Sequence, residues 1–246
     1  MRARIVAGLA ATTLTLVVVS ETVIYGANLH TVRQAESLLR AVKLLRIGYS
    51  SGADVQKILR TFGDAGGRQF AGSCPSCDQS SVVVSSDALN HLGAVVPFGL
   101  APHLRLFGNT WWFAQADFEI QNGRLYSVRY RVHTTPASYP PTSLFLDAVA
   151  SGSPAFDSSY GVFTRVFKGG RELDAWTSAG STEQERQRAF DFDLSCLTVF
   201  GGCRATCELM PSVWIDFQKE ARTKGWTLPT EEASDPYCKK LADQSR

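Results

Sequence analysis

The sharpest chemical motif in the chain is a pair of cysteines, Cys74 and Cys77, separated by two residues. In thiol–disulfide oxidoreductases the first cysteine of such a pair lies at a helix N-terminus, whose partial positive charge lowers the pKa of the thiol. Here residues 78–84 read Asp-Gln-Ser-Ser-Val-Val-Val, which is typical of a strand. The pattern favours a structural loop disulfide over a redox pair, or over half of a metal site, for which no spacing supplies further ligands.

The chain contains six cysteines, and an even number is typical of proteins from oxidising compartments. Cys196 and Cys203 flank a Gly-Gly pair, so a disulfide between them would close a short loop at the end of a predicted helix. This pairing leaves Cys207 to bond with Cys238, which would hold the polar C-terminal tail against the domain. The sequence therefore predicts three disulfides: Cys74–Cys77, Cys196–Cys203 and Cys207–Cys238.

A helix is predicted to begin at Ser181, which lies three residues before Gln184, as in a capping box. Its apolar residues fill more than half of the helix circumference, which predicts a core helix buried on most sides and ending at the Gly-Gly pair. Asp193 falls within the apolar arc and Asp191 faces the other side, so the two carboxylates cannot form an acid–base pair. We interpret Asp193 as a buried polar residue that accepts hydrogen bonds from a nearby loop or an arginine.

The sequence contains none of the common motifs of hydrolases, nucleotide-binding proteins and zinc proteases. Its histidines, among them His91 and His103, lack the spacings that metal ligands show. We therefore expect no metal and no cofactor, and we favour a protein that is not an enzyme.

The N-terminus combines a basic start, Arg2 and Arg4, with an uncharged run from residue 5 to residue 20, and after Glu21 the apolar character resumes up to residue 27. This length suits an uncleaved membrane anchor, with the N-terminus cytoplasmic and the rest of the chain outside. The alternative is a secretory signal peptide cleaved near Ser20. We predict an anchor over residues 1–27, a juxtamembrane helix over 28–49 and an extracytoplasmic domain over 50–246, and hence a single-pass protein that contacts the membrane through its N-terminal helix.

Helix spacing continues from residue 28 to residue 46. Ser50 or Ser51 is predicted to cap a second helix, with Asp54 three residues after Ser51 and Gly63 at the end of the helix. The stretch LLRIGYSSGADVQKILRTFGD, residues 44–64, resembles the start of outer-membrane assembly lipoproteins of the SmpA/OmlA type. That resemblance implies a helix pair packed on an antiparallel sheet. The stretch FDFDLSCLTVFGGC, residues 190–203, resembles uncharacterised exported bacterial proteins and implies no activity.

Alternating apolar and polar residues on both sides of Asn122 and Gly123 predict a hairpin. A two-residue turn would pair Phe118 with Ser127 and mix the two faces, whereas a three-residue loop pairs Phe118 with Tyr126 and keeps one face apolar. We therefore predict the three-residue loop, with Gly123 in the left-handed region.

A second hairpin is predicted around Gly169 and Gly170, with Arg165 opposite Asp174, and residues 144–149 are predicted to form a strand or an edge segment. The predicted fold class is α+β: an N-terminal transmembrane helix followed by an antiparallel sheet of five to seven strands, packed against helices from both ends of the chain.

The formal charge of +2, without a basic run, argues against a nucleic-acid partner. We expect a membrane-anchored extracytoplasmic binding or structural protein of the bacterial cell envelope, with an envelope protein as its partner. The alternative is an exported thiol–disulfide oxidoreductase, or another exported enzyme, that uses Cys74 and Cys77.

Overall fold

A computed structural model of the chain describes residues 2–66, 74, 76–86, 111–135, 145–167, 169–198, 202–226 and 235–244. In these ranges the chain forms one six-stranded sheet in the order β1-β2-β3-β4-β6-β5, with helices packed against it. The α+β class with a mostly antiparallel sheet is therefore confirmed. The strands are β1 Asp78–Ser85, β2 Trp112–Gln121, β3 Arg124–Thr134, β4 Phe145–Gly152, β5 Tyr160–Phe167 and β6 Gly170–Thr177.

One pair of strands departs from the predicted antiparallel arrangement, because β4 and β6 run parallel. The chain passes from β4 to the far edge of the sheet, forms β5 there, and returns through a tight hairpin to place β6 between them. As a result β4 is an inner strand of the sheet and not an edge segment.

The first hairpin has a two-residue turn, so the predicted three-residue loop is wrong. Asn122 and Gly123 both have positive φ, 52° and 74°, as a type I′ turn requires. The register then shifts by one residue at a bulge that contains Tyr126, and Phe118 pairs with Val128. The bulge, and not a longer loop, keeps the apolar residues of the two strands on one face.

The second hairpin is displaced from the predicted register. Arg165 pairs with Glu172 and not with Asp174, because β5 ends at Phe167 and Gly170 already belongs to β6. Gly169 carries the positive φ, 92°, that this tight turn needs.

Gly170 cannot accept a side chain without a shift of its neighbours, because a Cβ there would lie 2.8 Å from ring atoms of Phe145 and Phe167. We expect Gly170→Ala to lower the free energy of unfolding by about 1–3 kcal/mol, the usual effect of overpacking. Urea unfolding of both proteins measures the difference. In the matched control, Gly180→Ala, the nearest atom is 3.8 Å away and we expect a change below about 1 kcal/mol. Equal losses in the two variants would contradict this account of the turn.

The core lies between the sheet and helix α1, which runs without interruption over Arg2–Lys43. Its buried residues, which include Val32, Leu38 and Val42, follow helical spacing. The Tyr130 hydroxyl of β3 donates to the Ala35 carbonyl at 3.1 Å, and the Trp112 indole of β2 donates to the Asn28 side chain at 2.8 Å. The C-terminal part of α1 therefore lies on the sheet and does not stand away from it. Within the described ranges, no helix reaches both the length and the hydropathy that a membrane span needs.

Helix α2, Gly52–Phe62, begins and ends as predicted. The Ser51 side chain accepts from the Asp54 N–H, the Asp54 carboxylate accepts from the Ser51 N–H, and Gly63 closes the helix. Its buried residues, Val55 among them, face the core.

The long core helix predicted from Ser181 is wrong. The structure has a short helix α3, Glu183–Ala189, capped by Thr182 with Glu185, and then a 3-10 helix, Ser195–Thr198. The α-helix ends at Ala189, and the backbone N–H of Asp193, which would bond to Ala189 in a continued helix, donates to the distant carbonyl of Leu209 at 2.9 Å. A long-range hydrogen bond thus replaces the helical one.

The C-terminal part adds helices α4, Thr206–Leu209, α5, Pro211–Lys224, and α6, Pro236–Gln244. Helix α5 has Pro211 in its first turn and Gly225 with φ 67° at its end, positions that proline and glycine favour. The histidines His91 and His103 lie outside the described residues.

Candidate functional site

All six cysteines are paired, and the pairs are the three that the spacing predicts. Cys207 and Cys238 are fully buried, and their disulfide joins α4 to α6 across 31 residues of sequence. The disulfide of Cys196 and Cys203 spans the Gly-Gly pair, whose Gly202 has a positive φ of 57°. The cysteines thus fix the C-terminal helices to one another.

The Cys74–Cys77 disulfide directly precedes β1, which begins at Asp78. The predicted strand after this motif is confirmed, so no helix dipole acts on either sulfur from the following segment. Cys74 is buried, and the Gln121 amide donates to its sulfur at 3.4 Å. Among the residues that the structure describes next to this disulfide, none forms the electropositive helix end that activates a catalytic thiol.

Two groups of side chains in the described ranges lie close enough together to suggest metal ligands: Cys196, Cys203 and Glu208, and Cys207, Asp235 and Cys238. In each group both sulfur atoms belong to a disulfide, and a metal-binding cysteine must be a thiolate. We therefore infer no metal site from either group.

Asp193 is half-buried in the loop between α3 and the 3-10 helix, and not within an apolar arc. Its carboxylate accepts the N–H of Ser195 at 2.9 Å, and the carboxylate of Asp191 accepts the Ser212 hydroxyl at 2.6 Å. Both aspartates therefore hold loop backbone and a neighbouring helix in place, which agrees with the structural interpretation of Asp193.

The face of the sheet opposite the core carries most of the charged side chains of the strands. Residues that bond to helices, such as Trp112, Tyr130 and Tyr160, lie on the core face, and strand alternation puts their neighbours on the other. We call this second face the polar face. The registers assign it these residues: Phe113, Gln115, Asp117, Glu119, Ser127, Arg129, Arg131, His133, Phe145, Asp147, Val149, Ser151, Phe163, Arg165, Phe167, Glu172, Asp174 and Trp176.

Asp147 is the centre of the polar face, with a side chain that is 1% exposed. Its two oxygens accept from the Arg131 Nε and Nη2 atoms at 2.8 Å each, and the His133 Nδ1 atom lies 2.9 Å from Oδ1. Burial alone would raise the pKa of Asp147, but the hydrogen bonds from His133 and Arg131 more than offset it, and the pKa is lowered. Asp147 is thus a buried carboxylate that stays ionised.

The next two carboxylates, Glu172 and Asp174, lie two residues apart on β6. Burial, together with the charge and the hydrogen bond of Glu172, raises the pKa of Asp174 to about 7, although Arg129 and Arg165 act in the opposite direction. Arg165 contacts both Glu172 oxygens, at 2.9 and 3.2 Å. The pair therefore holds a proton close to neutral pH.

The raised pKa makes stability depend on pH. The folded state prefers protonated Asp174, so the stability that this group contributes is complete below its unfolded pKa of about 4 and is lost as the pH rises through about 7. We therefore compare the free energy of unfolding of Asp174→Asn with that of the wild type. We expect this difference to favour the variant by at least about 1 kcal/mol more at pH 8 than at pH 5. Urea unfolding at both pH values measures this. A difference that does not change with pH, or changes in the opposite sense, would show that the two carboxylates do not share a proton.

Five rings form a continuous row across the polar face from β2 to β5, with neighbouring centroids 4.9 to 5.4 Å apart. We call them the aromatic row: Trp111, Phe113, His133, Phe145 and Phe167. Each ring is half-buried. The Arg131 guanidinium lies 6.0 Å from the Phe113 centroid, and that of Arg165 lies 5.5 Å from the Phe167 centroid. Guanidinium groups therefore flank the row on both sides.

On the β1 side of the polar face, the carboxylate of Glu119 is fully buried and accepts from the Ser127 hydroxyl at 2.7 Å. The Gln79 amide also donates to it at 3.4 Å, and the Gln115 amide donates to Asp117 at 2.6 Å. Each of these neutral donors satisfies part of the hydrogen-bonding capacity of a carboxylate.

The sequence interpretation identified the cysteines and Asp193 but missed the polar face. Its signal was present, since every second residue is polar or charged from Gln115 to Gln121 in β2 and from Ser127 to His133 in β3. The geometry can bind polar and aromatic groups and can hold a proton near neutral pH. Comparison of the chain with models of protein families, with curated proteins and with solved structures found no match.

Proposed function

We propose that the chain is a membrane-anchored extracytoplasmic binding protein of the bacterial cell envelope, and that the aromatic row contacts an envelope protein. The observation that supports binding is the row itself, with half-buried rings between Arg131 and Arg165. Aromatic residues and arginine are the types enriched at the centres of protein interfaces.

The exposed charges on this face indicate the chemistry of the partner. The Arg165 side chain is 56% exposed and that of Arg131 is 32% exposed, whereas their carboxylate partners Glu172 and Asp147 are 11% and 1% exposed. The surface beside the row therefore presents more guanidinium than carboxylate to solvent. An acidic protein surface is the complementary partner.

The compartment and the anchor have separate support. The three disulfides favour an oxidising compartment. The anchor rests on the sequence alone, on the basic start and the apolar run over residues 5–27, in which Glu21 is the one charged residue. Under this proposal the N-terminus is cytoplasmic and the sheet lies outside the membrane.

The binding surface is tested by placing a photoreactive phenylalanine analogue at Phe113 in cells that produce the full chain. We expect irradiation to yield an adduct with another envelope protein. The matched control carries the analogue at Tyr49, an aromatic residue that is 78% exposed before α2 and away from the row. Equal adducts at the two positions, or no adduct at Phe113 in a protein with an unchanged melting temperature, would refute the proposed surface.

The anchor is tested by exchanging residues 1–27 for a cleavable secretory signal peptide. Asn28, which contacts both Trp112 and the Leu197 carbonyl, stays in the chain. We expect the wild type in the membrane fraction and the exchanged protein as a soluble extracytoplasmic domain. A wild type in the soluble fraction, or an exchanged protein that remains with the membrane, would contradict the single-anchor topology.

A further inference from the structure

We propose that the free edge of β5 pairs with β5 of a second copy of this chain, so that two six-stranded sheets join into one. β5 is an end strand of the sheet, bonded to β6 on one side. In the described ranges, no residue forms a ladder with its other side. This inference concerns the edge of the sheet and is independent of the aromatic row as a binding surface.

The register shows which backbone groups point away from β6. Beyond the end of β5, the Ser178 N–H donates to the Ser159 carbonyl at 3.0 Å, and this pair continues the β5–β6 register. Hydrogen-bonded pairs alternate along an antiparallel ladder, so the odd-numbered residues of β5 bond to β6. The outward N–H and C=O groups belong to four residues: Tyr160, Val162, Thr164 and Val166.

The two edges of the sheet differ in how they are protected. At the β1 edge the Ala65 N–H donates to the Ser81 carbonyl at 2.8 Å, and the Ser81 hydroxyl donates to the Gly66 carbonyl. β5 has no proline, no register shift against β6 and one charged residue, which is the ion-paired Arg165. It instead exposes Phe163 by 44% and Val166 by 59%. In natural edge strands, charges, prolines or bulges usually prevent pairing with another strand. Apart from Arg165, the edge of β5 lacks these features and can accept a strand.

A second copy fits this edge because the outward set is symmetric about Phe163. A two-fold axis at Phe163, perpendicular to the sheet, pairs Val162 with Thr164 and Tyr160 with Val166 of the other copy. All four outward residues of each strand then hydrogen-bond, about eight bonds in total. The core faces of the two sheets then lie on the same side of the joined sheet, because each pair joins two even-numbered or two odd-numbered residues.

The side chains are complementary in the same register. The two Phe163 rings become neighbours on the axis, with Cα atoms about 4.5 Å apart as in a non-hydrogen-bonded pair. Arg165 faces Gly161 of the second copy, so the two arginines do not oppose each other. A Cβ on Gly161 would lie 2.2 Å from the Trp176 ring, which shows that this indole covers the glycine. Each Arg165 can therefore reach the Trp176 ring of the other copy.

Disulfide trapping tests the register in the full chain. Phe163→Cys places two thiols opposite each other at a Cα separation that a disulfide accepts. We expect mild oxidation in membranes to give a dimer band on a non-reducing gel that disappears with reductant. The matched control is Val83→Cys, an exposed residue of the other edge strand, which should stay monomeric. No dimer from Phe163→Cys, or equal dimer from both variants, would overturn the proposed register.

Sedimentation of the full chain in detergent tests the association itself. We expect the wild type to have the mass of two chains, and Val166→Lys to weaken dimerisation at least about tenfold because it puts an ammonium in the strand interface. Val166 is largely exposed, so the variant should keep the wild-type circular-dichroism spectrum, and Val83→Lys should remain dimeric. A wild type with the mass of one chain at every concentration would overturn the proposal, as would a Val166→Lys variant that remains dimeric.

Discussion

Replacing Cys207 and Cys238 by alanine should lower the free energy of unfolding by about 3–4 kcal/mol. Their disulfide closes a loop with a sequence separation of 31, so its loss gives the unfolded chain considerable conformational freedom. It also frees α6, whose Cys238 carbonyl accepts from the Trp214 indole at 3.4 Å. Urea unfolding of the double variant without reductant measures the loss.

The matched control removes the Cys74–Cys77 disulfide by the same double substitution. Its sequence separation is 3, and so short a loop predicts a loss of about 2 kcal/mol or less. Equal losses in the two double variants would contradict the expectation that the disulfide of Cys207 and Cys238 stabilises the fold more than that of Cys74 and Cys77.

Asp147→Ala should lower the free energy of unfolding by about 3–5 kcal/mol, because it leaves the partly buried guanidinium of Arg131 without its bidentate partner. His133 loses its hydrogen bond to the same carboxylate. Chemical unfolding at neutral pH gives the difference. The control is Lys224→Ala, which breaks an exposed pair with Glu220 and should change stability by less than about 1 kcal/mol.

The advantage of the wild type over Asp147→Ala should also depend on pH. The pKa of Asp147 is lowered in the folded state, so its contribution is complete above its unfolded pKa of about 4 and is lost as the pH falls through the folded value. Unfolding curves at neutral and at acidic pH test this sign. A stability difference that grows on acidification would contradict the ionised state of Asp147.

Local signals predicted local structure well. Ser51, Asp54 and Gly63 lie within a few residues of the helix ends that they define, so the bounds of α2 could be inferred from the sequence. The same holds for Pro211 and Gly225 at the ends of α5.

Tertiary contacts overrode the helix signal after Ala189. The apolar spacing of residues 190–200 is helical, but the Asp193 N–H bonds to the Leu209 carbonyl, which lies sixteen residues further along the chain. Periodicity does not reveal such a contact. The parallel pairing of β4 with β6 was likewise inaccessible, because it depends on where the chain places β5.

The hairpins show a different limit. Asn122-Gly123 forms the two-residue turn that this dipeptide favours, and the mismatch of faces is corrected by a bulge at Tyr126 three residues later. The sequence can reveal that a correction is needed but not where it is made.

The polar face was missed for a related reason: its alternating charges are visible on each strand, but the contacts of Asp147 join three residues of two strands.

The central claim is that the domain folds in an oxidising compartment with its cysteines as cross-links. It is tested most directly by quenching cells under denaturing, non-reducing conditions and then labelling free thiols with a maleimide mass tag. A second sample is reduced before it is labelled. The account predicts no tag on the full chain before reduction and six tags after it, since the structure pairs all six cysteines. Six tags without reduction would show free thiols and contradict the claim.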